Sequence, residues 1–514
     1  MEYPIGIQTF SEIRKYNCRY VDKTALAWEL AHTGKYIFLS RPRRFGKSLL
    51  LSTLEEYFRG NKQLFEGLKI SELESEWTQY PVLHFDFNTV GSRNITDLTD
   101  SLHRQLSTYE SRYGLTPDND IAKQDRFINL IQKVHDVSHQ NVVILIDEYD
   151  KPLLNTIENP QLQDDFRSIL KPFYGVLKTM DQNIRFAMIT GVARFGKESI
   201  FSDLNNIRDI SLEPRFNAIC GITQDELYSV FDDSIEQLAE EYGKDTLWMK
   251  QELKANYDGY HFGAPQKCSD IYNPFSIINA FAKRKIGDYW FESGSPSLLV
   301  KRLIRRGYDF PELSNVAATT DELLSGITAD DSSIGQLFQT GYLTITNYDS
   351  ENDLYELGFP NKEVEKGFDK LSLSVYGSMA SRDFDIAQFR KEVVSGHPEK
   401  FMSRLQSFTA DFPYDQIPDL EVHWQNMMYL LFKLLGFYTR TEYKTSDGRI
   451  DAVVTTPKYV YVFEFKMDQS PLKAIAQINS KNYTLPFESN GRKIFKIGVE
   501  FASTSRRITD WIIE

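Results

Sequence analysis

The stretch Asn141-Val-Val-Ile-Leu-Ile-Asp-Glu-Tyr-Asp150 constrains the fold more than any other part of this chain. Its five consecutive aliphatic residues, uninterrupted by a polar one, predict a strand buried on both faces. Such strands belong to parallel sheets covered by helices, so the fold class is α/β. Acids follow at once, at the C-terminal end of the strand, where open α/β sheets bind their ligands. Apolar patterning predicts further strands at 81–87 and 184–190, with helices at 24–31, 96–109 and 127–137. Strand and helix therefore alternate from about residue 36 to residue 220.

The first strand of that series is Tyr36-Ile-Phe-Leu-Ser40. It leads into Arg41-Pro-Arg-Arg-Phe-Gly-Lys-Ser48 and then into a helical pattern carried by Leu50, Leu54, Tyr57 and Phe58. Strand, basic glycine-containing turn and helix N-terminus make an anion cradle, because unpaired N–H groups and the helix dipole converge there. The segment Arg44, Phe45, Gly46, Lys47, Ser48 and Leu49 is thus the candidate nucleotide loop. Lys47 is placed for the outer phosphates and the Ser48 hydroxyl for Mg²⁺. The usual pattern begins with a glycine, where this chain has Arg41. The plainer alternative is a chance Gly-Lys-Ser at a helix start.

Asp147 matches the carboxylate that organises the nucleotide's Mg²⁺, and Glu148 the base that polarises the attacking water. The bland alternative is that Asp147 or Asp150 merely caps the next helix, and Asp150 before Lys151-Pro152 has the form of a cap. The strand at 184–190 ends in Thr190, a candidate sensor of the γ-phosphate. Beyond it, Arg194-Phe-Gly-Lys-Glu-Ser199 nearly repeats the first loop. Glu198 replaces the Mg²⁺-binding hydroxyl and repels phosphate, so this is not a second nucleotide site, and 200–206 reads as a polar loop. Arg194, Lys197 or Arg208 supplies positive charge near the γ-phosphate, in cis or from a neighbouring subunit of a homo-oligomer. Tyr20 is a candidate stacking partner for a base, although an aromatic before a helix is ordinarily core.

Charge and cysteine content narrow the class further. The 514 residues exceed one core and suggest roughly two to four domains. Net charge −13 argues for a soluble, cytoplasmic protein rather than a basic nucleic-acid coat. A local DNA groove stays compatible with it, since charges beyond ~8 Å are largely screened. Cys18, Cys220 and Cys268 show neither disulfide nor zinc spacing. Apolar runs are strand-sized, so no membrane span is expected. Residues 221–400 read as mostly helical, with Thr223-Gln-Asp-Glu-Leu227 as a helix start. A helix near 334–340 followed by a hairpin suggests a winged-helix-like element, whose acidic turn (Asp349, Glu351, Asp353) favours packing over phosphate contact.

From residue 401 the pattern changes. A helix at 421–435 precedes three strands, at 437–444, 449–455 and 459–466. Period-two geometry puts Glu464 and Lys466 on one face of the third strand and Phe463 and Phe465 on the other. Asp451 lies on the strand before it. Asp451 and Glu464 form a candidate Mg²⁺ site. Bound metal would lower the pKa of a water, and Lys466 would position or deprotonate that water for attack on a phosphodiester. Without a cation the two acids repel by up to ~4 kcal/mol at ~4 Å and an effective dielectric of ~20. Glu421, Gln477 and Tyr483 are candidate supports. Surface strands often carry Glu and Lys, so the D…E-x-K pattern is weak when taken alone.

As a set, these motifs resemble the bacterial AAA-ATPase-like proteins with a C-terminal PD-(D/E)XK nuclease domain. The matching residues are Tyr20-Val-Asp-Lys-Thr24, Arg41–Ser48, Ile146–Asp150, Ser199–Asn206, Tyr257-Asp-Gly-Tyr260 and Asn273-Pro-Phe275. Toward the C-terminus they are Gly448-Arg-Ile-Asp451, Phe463-Glu-Phe-Lys466 and Gln477 to Tyr483. The resemblance accounts for Arg41, since the first loop glycine is commonly replaced in that group. It implies a P-loop ATPase core over 1–220, a helical lid over 221–400 and a restriction-endonuclease-like domain over 401–514. ATP and Mg²⁺ are the implied cofactors and nucleic acid, DNA first, the implied partner. The expected function is an ATPase coupled to a metal-dependent nuclease. The alternative is a nucleotide-driven switch whose C-terminal domain only binds nucleic acid or a partner.

Overall fold

Strands rich in β-branched and aromatic residues build the first layer. They are Tyr36–Ser40 (β1), Val82–Asp86 (β2), Val142–Asp147 (β3), Ile184–Gly191 (β4) and the short Arg208–Asp209 (β5), in the order β2-β3-β4-β1-β5. Every pairing in this sheet is parallel. All six residues of β3 are buried, the burial expected of its unbroken aliphatic run. Helices Ile95–Arg112, Lys123–Ser138 and Pro160–Thr179 cover the sheet through Leu98, Leu102, Phe127, Phe166, Leu170 and Phe173. The helix that follows β1, Lys47–Phe58, packs against β2, β3 and β4.

The computed structural model describes the chain except residues 1, 119, 195–205, 294–296, 306–307, 309, 325–332, 376–381, 411–419, 435–437, 446–447, 489–490 and 505–506. The near-repeat after Arg194, with Lys197 and Glu198, and the polar loop expected at 200–206 fall outside the described residues except at Asn206. The chain divides into two compact units, Met1–Ser293 with Asn315–Val364, and Gly294–Ser314 with Glu365–Glu514.

In the first unit the parallel sheet is followed by helices Gln224–Val230, Asp232–Glu241, Thr246–Tyr257 and Pro274–Lys283 around a core of Leu227, Ile235, Leu253 and Ile277. The helix start at Thr223 is a capping box, in which Thr223 and Glu226 satisfy each other's backbone N–H groups. The expected helix and hairpin appear as Ser333–Thr340, Thr344–Asp349 and Leu354–Gly358. A strand not anticipated from the sequence, Val316–Thr319, pairs with Leu354–Gly358 and completes a three-stranded antiparallel sheet.

The second unit carries a five-stranded sheet: Tyr438–Thr445, Gly448–Thr455, Tyr459–Met467, Lys493–Ala502 and Arg507–Ile513, in that order. Only the Tyr459–Met467 and Lys493–Ala502 pair is parallel, and helix Pro471–Ser480 connects them. Ile475, Ile478 and Tyr483 pack on Val460 and Val462. Phe463, pointing the other way, meets Phe401 and Phe432. The period-two assignment of the two faces therefore holds. No helix among the described residues is long and apolar enough to cross a membrane.

Candidate functional site

Sheet order explains how the first site is assembled. Because β4 lies between β1 and β3, its end falls between the loop leaving β1 and the acids ending β3. Asp147, 5% exposed, is the centre of this arrangement. Its Oδ2 accepts the Ser48 hydroxyl at 2.5 Å and its Oδ1 accepts the Thr190 hydroxyl at 2.6 Å. Three residues that sequence reasoning assigned separately to the nucleotide thus meet at one carboxylate. A hydroxyl beside a carboxylate is a hard-oxygen donor set that suits Mg²⁺. Glu148 follows directly with φ +51°, a left-handed backbone that a non-glycine residue holds only where its surroundings enforce it. Its N–H donates to Asp147 Oδ1, and Lys151 Nζ lies 3.9 Å from its carboxylate.

The loop itself turns through Arg44 at φ +67° and Gly46 at φ +99°, and Gly46 begins the helix. Lys47 is buried and donates from Nζ to the Arg41 and Pro42 carbonyls at 2.9 and 3.1 Å. Arg41, in the place of the missing glycine, is a brace. Its guanidinium donates to the carbonyls of Ser40, Ser211 and Phe216 and lies 4.1 Å from the centre of the Phe262 ring. Phe45 packs edge-on against Tyr260 and Phe262. Arg44 lies over Phe275.

Beside Gly46 and Leu49 opens a cavity walled by Tyr20, Lys23, Ile222, Phe231, Pro274 and Ile278. Tyr20 is therefore at the cavity wall as well as edge-on to Phe10 in the core. Lys23 is held there by Glu226 at 2.6 Å.

Two basic candidates are engaged elsewhere. Arg194 pairs with Asp209 at 3.1 Å, and Arg208 pairs with Glu213 at 2.6 Å. Asp150 corrects the capping expectation. It occupies the N-cap position of helix Lys151–Asn155 without capping it. Its carboxylate accepts the N–H groups of Val192 and Ala193 instead, and burial pushes its pKa up to about 6.

The second candidate site lies on the sheet of the second unit. Asp451 Oδ2 accepts the Phe465 N–H at 2.8 Å, which fixes it beside the Tyr459–Met467 strand. Glu464 is 1% exposed, and Lys466 donates to its Oε1 at 2.9 Å. Its Oε2 is buried without a hydrogen-bond partner. Burial first, then the Asp451 charge, raises its pKa to about 7. A buried carboxylate with one unsatisfied oxygen, beside a second carboxylate, fits a divalent cation that keeps several waters. Among the described residues no group of three or more His, Cys, Asp or Glu side chains is placed to hold a metal. Gln477 Nε2 reaches the Tyr483 hydroxyl at 3.4 Å, so these two expected supports touch each other. Glu421 sits in helix Leu420–Leu434, and its side chain falls outside the described residues.

Comparison with known proteins places the two sites in segments that match two different family models. Residues 4–201 match the family model described as a predicted AAA-ATPase, and residues 419–511 match the PD-(D/E)XK nuclease superfamily. A protein of Azotobacter chroococcum mcd 1, described as an uncharacterized protein in the vnfD 5′ region, is 36% identical over 523 residues. That match covers 99% of this chain and 98% of the relative. The chain belongs to the AAA-ATPase-like proteins with a C-terminal PD-(D/E)XK domain. Among solved structures, the Aeropyrum pernix ORC2 protein in its ADPNP–ADP complexes is 13% identical with a TM-score of 0.28, covering 68% of this chain and 93% of that one. The A. pernix ORC1 protein in complex with DNA is 12% identical with a TM-score of 0.22, covering 68% and 91%. Both likenesses are too loose to bear on either site.

In this AAA-ATPase-like chain, sequence reasoning missed the residues that hold the loop from outside. Trp290 Nε1 donates to the Arg43 carbonyl at 2.8 Å, and the Gly221 N–H donates to the Phe45 carbonyl at 3.1 Å. Gly221 carried a readable signal, since a glycine closing a helix-free stretch often marks a left-handed turn; its φ is +92°. Trp290 carried none.

Proposed function

We propose that the protein binds and hydrolyses ATP at the β1 loop, and that this activity governs a Mg²⁺-dependent nuclease acting on nucleic acid, DNA first. In this reading residues 1–220 are the ATPase core, 221–400 the helical lid and 401–514 the nuclease-like domain. Lys47 leaves the Arg41 and Pro42 carbonyls for the outer phosphates. Ser48 and Asp147 would hold the nucleotide's cation, and Thr190 fixes the orientation of Asp147. Glu148 takes the proton of the attacking water. The cavity walled by Tyr20, Ile222 and Phe231 receives the base.

At the second site Asp451 and Glu464 would hold Mg²⁺, and Lys466 keeps the hydrolytic water in place. Magnesium, when bound, neutralises phosphate charge and lowers the pKa of a bound water. The observation that carries the reading is Glu464, a buried carboxylate with one oxygen unsatisfied next to Asp451. Such a group is costly when ionised unless a cation completes it, and its pKa of about 7 leaves it open to either a cation or a proton.

The test is incubation of the purified protein with DNA and Mg²⁺, with and without ATP. The parent is expected to cut, and Asp451→Ala and Glu464→Ala are not. Equal cutting by the variants removes the nuclease assignment. Lys47→Ala is expected to abolish ATP turnover, and unchanged turnover removes the nucleotide assignment. Nucleotide-dependent assembly without any cleavage would favour the switch.

A further inference from the structure

A trans peptide is planar, so its C=O and N–H point in opposite directions. Any donor that seizes the carbonyl of one loop residue therefore aims the N–H of the next residue the other way. The phosphate loop is seized twice. The Trp290 indole takes the Arg43 carbonyl at 2.8 Å, and the Gly221 N–H takes the Phe45 carbonyl at 3.1 Å. The N–H groups on the same two peptides are those of Arg44 and Gly46. They lie on the faces of those peptides turned away from Trp290 and Gly221.

Trp290 is itself firmly held. Its backbone N–H donates to Glu363 Oε1 at 2.6 Å, and the Ser276 hydroxyl donates to Glu363 Oε2 at 2.7 Å. Its ring packs against Tyr342 and Tyr260, with centroids 5.2 and 6.4 Å away. Gly341 lets the chain approach the loop closely, since a Cβ there would come within 2.6 Å of Pro42.

We propose that Trp290 is a positioning residue for the phosphate loop: its indole N–H pins the Arg43 carbonyl and thereby presents the Arg44 N–H to the β-phosphate of a bound nucleotide. This rests on the nucleotide reading of the loop. It adds that a side chain some two hundred and fifty residues downstream sets the direction of a loop N–H. The contribution is confined to ligands that possess a β-phosphate, because AMP offers the loop nothing to grip at that place.

The test is the affinity of the full chain for ATP, ADP and AMP, read by calorimetry or by displacement of a fluorescent nucleotide. Trp290→Phe keeps an aromatic ring and removes the N–H. Loss of one aligned hydrogen bond is expected to weaken ATP and ADP about tenfold. AMP binding should stay as in the parent, while the smaller ring and the unpaired Arg43 carbonyl lower the melting temperature without nucleotide. Incorporation of 3-benzothienylalanine at position 290 keeps the bicyclic shape without the N–H, and should reproduce the effect even if phenylalanine disturbs packing. Equal weakening of all three nucleotides, or none, overturns the role of Trp290 while leaving the nucleotide reading intact. If the parent binds no nucleotide and Lys47→Ala changes nothing, the reading of the loop fails and the proposal fails with it.

Discussion

Replacing Arg41 by glycine restores the first glycine of the usual phosphate-loop pattern, and the structure says that this repair is damaging. The guanidinium, 1% exposed, donates to three main-chain carbonyls and faces the Phe262 ring at 4.1 Å. Hydrogen bonds from a charged donor contribute about 1.5–3 kcal/mol each, and a desolvated cation–π contact about 2 kcal/mol. Against this stands the cost of burying the charge, which lowers the pKa of Arg41 to about 10, and the Nε that has no partner. Glycine also adds backbone freedom to the unfolded chain. The net loss on Arg41→Gly should be about 3–5 kcal/mol, since three buried carbonyls lose their donor at about 1–3 kcal/mol each. By the size scaling of unfolding entropy, that is a fall of about 4–7 °C in the melting temperature of the first unit. Differential scanning calorimetry with and without nucleotide reads it directly. A variant as stable as the parent would refute the brace, and Arg41 would have to be reassigned to the ligand.

Glu464 has a folded pKa raised to about 7, so its stabilising contribution is full below the unfolded value and is lost as pH rises through 7. Without metal, the second unit should gain up to about 3 kcal/mol as pH falls from 7.5 to 4.5. Glu464→Gln should remove that part of the pH dependence, and added Mg²⁺ should raise the parent's melting temperature at pH 7.5 more than the variant's. Gly221→Ala puts a Cβ 2.3 Å from Ile271 Cγ2 at φ +92°. It is expected to lower thermal stability by about 1–3 kcal/mol and to weaken ATP binding by moving Phe45. Asp150→Asn keeps one acceptor for the Val192 and Ala193 N–H groups. It should cost about 1–2 kcal/mol of stability, read as a lower melting temperature.

What was legible in the sequence is what local geometry dictates. Lys47, Ser48 and Asp147 were readable because a strand end, a glycine turn and a helix start bring their own directions with them. The faces of the Tyr459–Met467 strand followed from period two alone. The partners of Asp150 were hidden because Val192 and Ala193 lie more than forty residues away, and only the packing of β4 beside β3 brings them together. The ion pairs of Arg194 with Asp209 and of Arg208 with Glu213 were not read from the sequence. Helix Pro160–Thr179 went unread, although Leu162, Phe166, Leu170, Phe173 and Leu177 recur at helical spacing; Pro172 in its interior obscures the pattern. Strands Lys493–Ala502 and Arg507–Ile513 were missed as well.

The first unit is discontinuous, because Asn315–Val364 returns to it after Gly294–Ser314 has left. A chain emerging from a ribosome makes the phosphate loop early and its supports late. Trp290, Gly341 and Glu363 do not exist when Ser48 first appears. At about 5–20 residues per second, the interval between synthesis of Ser48 and of Glu363 is on the order of 15–60 s. Once β5 has been made, the sheet can form while the loop still lacks the contacts that fix its carbonyls. The nascent chain should therefore acquire nucleotide affinity as a late step, which stalled chains ending before and after residue 364 would separate.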